Sequence, residues 1–449
     1  GGTLAPARAD RPPMIKPCYI GVDLGTSGCR AQAIDQQGQQ VGSSSAPLPA
    51  PLRPAPGHSE QDPAIWWRAV VAALTELSAS LQGYQARAIA VDGTSGSLLL
   101  CNPVDGSPHG HALMYDDQRS RGELERLQGL APASAAVHST SASLPKLLHM
   151  LDKLAPNAGQ VLALHQAEWI SCMLMGRFGT GDENNCLKLG YDPVARQWPA
   201  WMERLGLPQQ ILPRVMPAGS PVGRLGPVAA DLTGLPEDCA LVAGTTDSIA
   251  ATLAAGISQP GEAVTSLGST LVLKILAEQP LFAPEYGVYS HRILGQWLVG
   301  GASNSGGRVL RQYFSDAEMA RLSTLLHPDQ PTGLDYYPLP APGERFPVND
   351  PALVPRISPI PEDRTIFFQA LLEGMANIEK AGYERLQALG APAPTRIYSC
   401  GGGSQNSAWT TIRHRISGLP VSTAAHTEAA YGSALLARHG FLANSSTQG

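Results

Sequence analysis

The sequence predicts an α/β protein of two domains separated by a cleft, and three observations carry that expectation. At 449 residues the chain exceeds what one hydrophobic core usually supports, so about two or three domains are expected. A β-rich run, Cys18 to Val22, turns through Gly25 and Gly28 into a second extended run, Arg30 to Ile34, and a strand-turn-strand of the same type returns at Ala263 to Leu273. One such hairpin early in each half points to a duplicated architecture. Finally, Arg396 to Cys400 empties into Gly401-Gly402-Gly403 ahead of a helix, where a nucleotide can lie against bare backbone. The expected division is a flexible tail over 1–16, a first domain over 17–243 and a second over 244–449.

Composition narrows the classes of function. Hydrophobic residues at 43% and charged ones at 15% describe a globular protein, and no apolar run approaches the roughly 20 residues of a membrane helix. The net charge of −5, with no cluster of lysine and arginine, argues against a nucleic-acid partner. Seven scattered cysteines without a C-x-x-C pair read as reduced cytosolic thiols, and the clustered ligands that zinc requires are missing from the sequence. Gly1 to Pro13 precede Met14, a candidate native start, and read as a tail or processing remnant.

The elements follow in order. In the opening hairpin, Asp23-Leu24-Gly25-Thr26-Ser27 is either an ordinary polar turn or an anion cradle. In the second case the turn N–H groups take a phosphate and Asp23 offers an oxygen to hydrated magnesium. Pro47 to Pro56 is a surface crossing, and Asp62 and Pro63 start a helix over Ala64 to Ser78 with Trp66, Val70, Leu74 and Leu77 on its packing face. Ala86 to Cys101 reads as two strands around Asp92-Gly93-Thr94-Ser95-Gly96-Ser97, a turn that either binds a polyol or is a solvated hairpin. Met114 to Arg119 places acids beside an arginine, by default a surface ion pair. Helices are expected over Leu144 to Leu154, Ala167 to Met175 and Trp198 to Leu205, a polar loop over Gly179 to Gly190, and a connection back to the sheet over Pro208 to Gly226.

Ala240 to Ser248 repeats the opening logic, an apolar strand running into Gly244-Thr245-Thr246-Asp247, where Asp247 is a functional acid or a helix N-cap. Gly301 to Gly307 opens a helix through Tyr313, Pro331 to Pro361 is a proline-rich surface excursion, and Ile366 to Ala388 is the clearest helix in the chain. A small-residue helix from Glu428 through Ala437 follows the triple glycine.

Together these residues resemble the FGGY family of carbohydrate kinases, on the actin-like ATPase (ribonuclease H-like) fold with two domains around a deep cleft. The likeness runs from about Tyr19 to Ala437. Five motifs in family order carry it: Gly-Val-Asp-Leu-Gly-Thr-Ser at 21–27, Glu-Gln-Asp-Pro with Trp-Trp at 60–67, Gly-Thr-Thr-Asp at 244–247, Ser-Leu-Gly-Ser-Thr at 266–270 and Gly-Gly-Gly-Ser-Gln-Asn at 401–406. The resemblance implies that Asp247 is the catalytic base. It implies phosphate contacts from Gly25, Thr26, Ser27, Gly268, Ser269 and Thr270, and adenosine contacts from Gly401, Gly402, Gly403, Asn406 and Trp409. Sugar contacts fall to Asp23, Thr94, Ser95, Gly96, Asp117 and Asp247, with Asp23 holding Mg2+ through water.

The implied substrates are a sugar and ATP, with Mg2+, for a monomer or homodimer in the cytoplasm, or in the plastid if the tail is what remains of a transit peptide. Thr94-Ser95-Gly96 stands where xylulose kinases carry Met-His-Gly, and Tyr115-Asp116-Asp117-Gln118-Arg119 replaces their Trp-Asn-Asp-Gly-Arg. Leu-His-Gln-Ala-Glu-Trp at 164–169 and Leu-Lys-Leu-Gly-Tyr-Asp at 187–192 are similar to xylulose-kinase-like proteins of cyanobacteria and plants, which makes D-ribulose the expected acceptor. D-xylulose or another polyol is the alternative within the class. An actin-like ATP-binding sugar sensor without transfer activity is the alternative outside it.

Overall fold

The computed structural model describes residues 14–446; the expected tail lies outside the described residues except for its last three positions, and Lys16 already opens the first strand. Each half is built on a six-stranded sheet. In the first, Lys16–Leu24, Gly28–Ile34 and Gln40–Pro47 form an antiparallel meander. Tyr84–Gly93 then pairs parallel to Lys16–Leu24, and Ala240–Thr246 parallel to Tyr84–Gly93. The second sheet repeats this plan. Glu262–Leu267, Leu271–Ala277 and Gln296–Ala302 form the meander, and Arg396–Cys400 and Val421–Thr423 add in parallel. Edge strands Pro221–Arg224 and Tyr289–Ile293 complete the two sheets. The duplication expected from two similar hairpins is therefore a duplication of whole sheets.

Crossover helices enter where their sequence signals stand. Pro63–Ser80 starts at Asp62, whose Oδ1 accepts the Ala64 N–H at 3.0 Å, and buries Trp66, Val70, Leu74 and Leu77 against the first sheet. Trp66 packs edge-on against Trp169, with its indole N–H donated to Gln61 Oε1 at 2.8 Å. In the second half the corresponding crossover is the 26-residue helix Arg364–Leu389.

The halves meet through two helices that follow the last parallel strands, Asp247–Ala254 and Ala429–Ser446. Their small residues allow a close crossing: a Cβ on Gly432 would stand 1.7 Å from the Ala250 carbonyl oxygen, and one on Gly21 would stand 1.9 Å from that of Ala430. One apolar cluster accordingly takes Tyr19, Ala88 and Val242 from the first sheet, Val264, Leu276 and Leu298 from the second, and Ile249, Leu253, Tyr431 and Ala434 from the helices between.

Several local expectations change. A division between residues 243 and 244 falls inside the strand Ala240–Thr246, so the first sheet continues past it. The segment 92–97 is not a solvated hairpin. The strands it joins lie in different sheets, since Leu98–Cys101 pairs with Leu162–His165, and Asp92, Thr94 and Ser97 are buried. The expected polar loop over 179–190 is also interior: Asp182, Asn184 and Asn185 are buried and hydrogen-bonded among themselves, to Glu168 and to the Thr245 strand end, and buried Glu183 accepts the Ala218 N–H. The helix near 200 is a 3-10 turn, Ala200–Leu205. The excursion over 331–361 is irregular as expected, yet it returns Tyr336, Leu339, Glu344 and Phe346 to the interior.

Because Gly432 lies against the Ala250 backbone, Gly432→Ala must push the two helices apart and is expected to cost about 1–3 kcal/mol. Calorimetric melting at the wild-type temperature would refute this account of the interface.

Candidate active site

Strand register assembles the acidic centre. Parallel pairing sets Asp23 opposite Asp92 and Asp92 opposite Thr245, so three adjacent strands end together, and Asp247 begins the helix that leaves the third. Thr246 is the N-cap, its hydroxyl accepting the Ile249 N–H at 3.4 Å, which leaves Asp247 in the first turn with Oδ1 on the Ser248 N–H at 2.7 Å. An acid there gains from the helix dipole without being consumed as the cap.

The environment of these acids is unequal. Burial first, then repulsion from Asp23, pushes the half-buried Asp247 up to about 6, while Lys274 and Lys188 hold it down. Asp92 is fully enclosed. Burial and the Asp23 charge raise it well above the carboxylate range, although Ser433 from the last helix donates to its Oδ2 at 2.6 Å. Of the acids gathered here, Asp92 is thus the one whose charged form its enclosure opposes most strongly. Asp92 Oδ1 has no hydrogen-bond partner within normal distance. An orphaned carboxylate oxygen beside Asp23, with Asp247 nearby, is a hard-oxygen set that fits hydrated Mg2+.

Two lysines complete the centre. Lys188 lies beneath the Thr94–Gly96 turn, its Cδ 3.8 Å from where a Gly96 Cβ would be. Lys274 projects from the strand Leu271–Ala277, and the absence of a side chain on its neighbour Gly300 gives its stem room. Burial depresses both amines, Lys274 to about 8, and attraction to Asp247 opposes the depression in each.

The sugar-side residues divide into frame and surface. Thr94 is buried, with its hydroxyl 2.6 Å from Ser97 Oγ and its N–H donated to Gln166 Oε1 at 3.0 Å, so it holds the turn. Gly96 has φ +85° and no room for a side chain, since its Cβ would meet the Ser141 carbonyl oxygen at 2.2 Å. Ser95 is the half-exposed member of the three. Asp117 is fully enclosed rather than a surface ion-pair partner. It accepts the Ser59 N–H at 2.7 Å and the Arg119 guanidinium at 2.9 Å, and Arg119 reaches Glu60 at 2.7 Å. In this geometry Asp117 braces the arm carrying Tyr115, whose N–H binds Ser97 Oγ at 2.9 Å.

On the other side, Gly268, Ser269, Gly402, Gly403, Asn406 and Trp409 line one cavity of about 800 Å3. Its polar rim and apolar floor, including Leu310, Phe368 and Leu372, suit a nucleoside. Glycine is required at 401 and 403, whereas a Cβ on Gly402 would meet open space. Gly401 has φ +82°, and a Cβ on Gly403 would stand 2.4 Å from the Trp409 ring. Trp409 is buried, with its indole N–H on the Leu372 carbonyl at 3.1 Å, and Asn406 caps the helix Ser407–Ser417 through the Trp409 N–H; both build the cavity wall. Ser269 on the Gly268–Thr270 turn, like Ser27 on the Gly25–Ser27 turn, is exposed.

Asp92, Lys188, Lys274 and Ser433 escaped sequence reasoning. A lysine interrupting the apolar strand Leu-Val-Leu-Lys-Ile-Leu was the available signal for Lys274. Asp92 had none, because its importance arises from pairing with a strand some 70 residues away.

Comparison with known proteins agrees with this arrangement. The N-terminal domain of the FGGY family of carbohydrate kinases matches residues 18–254, and its C-terminal domain matches 263–441. Among relatives, xylulose kinase of Klebsiella pneumoniae is 26% identical, covering 90% of this chain and 85% of that protein. Apulose kinase of Pectobacterium atrosepticum is 29% identical over 58% of this chain and 55% of that protein. The crystal structure of a xyloylose kinase from Brucella ovis superposes with a TM-score of 0.85 at 25% identity, covering 95% of this chain and 91% of that one. That of xylulose kinase from Rhodospirillum rubrum gives 0.81 at 23%, over 96% and 90%, and shares the fold. The chain belongs to the FGGY family of carbohydrate kinases, on the two-domain actin-like ATPase fold, and is an ATP-dependent sugar phosphotransferase that uses Mg2+.

Proposed function

We propose that this kinase transfers the γ-phosphoryl group of ATP to the terminal hydroxyl of a ketopentose, with D-ribulose the preferred acceptor and D-xylulose the alternative. The observation that carries the reading is Asp247, a half-buried carboxylate pushed up to about 6, at the end of the strand that pairs with Asp92 and Gly93 and under the influence of two lysines. A base of that strength is ionised at neutral pH yet strong enough to take a hydroxyl proton in the transition state. The ketopentose choice is supported by the Thr94–Gly96 turn, whose accessible group is the small Ser95 hydroxyl.

In this mechanism Asp247 orients the terminal hydroxyl and removes its proton as the sugar oxygen attacks the γ-phosphorus in line. The bond to the bridging oxygen breaks, and its electron pair departs on ADP. Groups of Thr26, Ser269 and Thr270 stabilise the transferring group, while the Gly25 N–H closes its turn on the Gly28 carbonyl at 3.0 Å, and Lys274 and Lys188 favour the ionised form of Asp247. Asp23, backed by Asp92, would hold hydrated Mg2+, which neutralises phosphate charge when bound. The triple-glycine cavity seats adenosine.

Asp247→Asn is expected to lower kcat by about 10²–10⁴-fold with KM for ATP little changed; near-native ADP release would remove Asp247 from the role of base. With Asp247 required as the anion, kcat/KM should rise as pH climbs through about 6 and then level. Lys274 lowers the Asp247 pKa, so Lys274→Met should move that limb to higher pH, and an unmoved limb would show that the lysine does not act on the base. A panel of ketoses, aldoses and polyols with ATP should give its highest kcat/KM with D-ribulose. Preference for an aldose or glycerol would replace the acceptor, and absence of any phosphorylated product would favour the sensor.

A further inference from the structure

We infer that Glu344 is a positioning residue for the phosphate turn Gly268–Thr270, setting affinity for the phosphates of ATP without touching them. This rests on the proposed phosphate role of that turn. Glu344 lies in the proline-rich excursion, far from the turn in sequence, and is only 3% exposed. Its carboxylate accepts four donors: Ser303 Oγ at 2.6 Å, the Asn304 N–H at 2.8 Å, Tyr337 OH at 2.7 Å and its neighbour Arg345 N–H at 3.0 Å. Asn304 Nδ2 also reaches the Gly343 carbonyl at 3.1 Å. An ionised carboxylate accepts at both oxygens and donates at neither, which is what this ring of donors requires.

The segment so gripped is the one that braces the phosphate turn. Ser303 Oγ, besides donating to Glu344, accepts the Ser305 N–H at 3.0 Å. The Ser305 carbonyl takes the Leu271 N–H at 2.8 Å, and the Leu271 carbonyl takes the Ser303 N–H at 2.9 Å. Two residues on, the Gly307 and Arg308 N–H groups bind the carbonyls of Gly268 and Ser269 at 2.9 and 3.1 Å. Gly306 fits between them at φ +145°, where a Cβ would stand 2.6 Å from the Ser269 carbonyl oxygen. With the Gly268 and Ser269 carbonyls tied back by these bonds, the peptide planes of the turn are fixed. The direction of its remaining N–H groups is therefore set from Glu344.

The consequence separates phosphate from nucleoside. Gly268, Ser269 and Gly307 line one end of the cavity, and the other end is walled by Gly402, Gly403, Asn406, Trp409 and Phe368, none of which bonds to Glu344. Removing the acceptor should loosen the turn and leave the triple-glycine end, where adenosine is proposed to sit.

The test is titration calorimetry of ATP and of adenosine against the full chain, with wild type, Glu344→Gln and Ser303→Ala. In Glu344→Gln, the amide NH2 faces donors in place of an acceptor. ATP affinity is expected to fall about 10- to 100-fold with adenosine affinity within about 2-fold of wild type. Ser303→Ala, which cuts the link between Glu344 and Ser305, should reproduce the pattern, and Glu344→Asp should recover part of the loss. In turnover, KM for ATP should rise more than KM for sugar. Unchanged ATP affinity in both variants would overturn the inference while leaving the kinase reading intact. Equal loss for ATP and adenosine would overturn it in favour of general damage to the second half. If wild type itself bound ATP no better than adenosine, the phosphate role of the turn would fall, and with it the reading on which this inference rests.

Discussion

Asp23 and Asp92 end adjacent parallel strands, and Asp247 starts the helix beyond the next strand, so three carboxylates crowd one buried place. Like charges gathered in this way oppose one another, and enclosure together with the Asp23 charge raises the Asp92 carboxyl well above its ordinary range. Enclosure comes from the last helix, which crosses from the second half and places Ser433 on Asp92 at 2.6 Å. Counter-charge comes from Lys188 and Lys274, one from each half, acting on Asp247. The acidic centre thus belongs to neither half alone.

The polar residues around the centre divide between those that face a ligand and those that hold others in place. Thr94, Asp117 and Asn406 spend their hydrogen bonds inward, on Gln166, Arg119 and the Trp409 N–H. Ser95 and Ser269 remain outward. Phosphoryl transfer asks mainly for alignment and charge neutralisation, so residues that fix a turn matter as much as those that touch the substrate.

This division explains how much was legible in the sequence. Motifs whose meaning is local could be read directly. A strand followed by glycine and hydroxyl residues gave both hairpins, Asp62-Pro63 gave a helix start, and three glycines before a helix gave one wall of a cavity. Motifs whose meaning depends on distant partners could not. Asp117 beside Arg119 has the pattern of a surface pair, and only the return of Ser59 and Glu60 encloses it. The run 182–185 is polar enough for a loop, but it is satisfied in the interior by Glu168 and Thr245. Asp92 falls at the junction of strand and turn, and only the register against Asp23 gives it meaning.

The helix pair that joins the halves also carries the chemistry. Asp247 is the first residue of one helix, and Ser433, which fixes Asp92, lies one residue beyond the Gly432 contact with Ala250 on the other. Small residues permit the close crossing, and that crossing seats Ser433 on Asp92, while strand register sets Asp92 beside the Thr245 strand end that leads to Asp247. A change in the angle between the halves therefore moves Ser433 relative to Asp92, because Ser433 is adjacent to the Gly432 contact on the same helix. Interface packing and the enclosure of Asp92 are two consequences of one arrangement, which gives a physical reason for the small-residue composition of both helices.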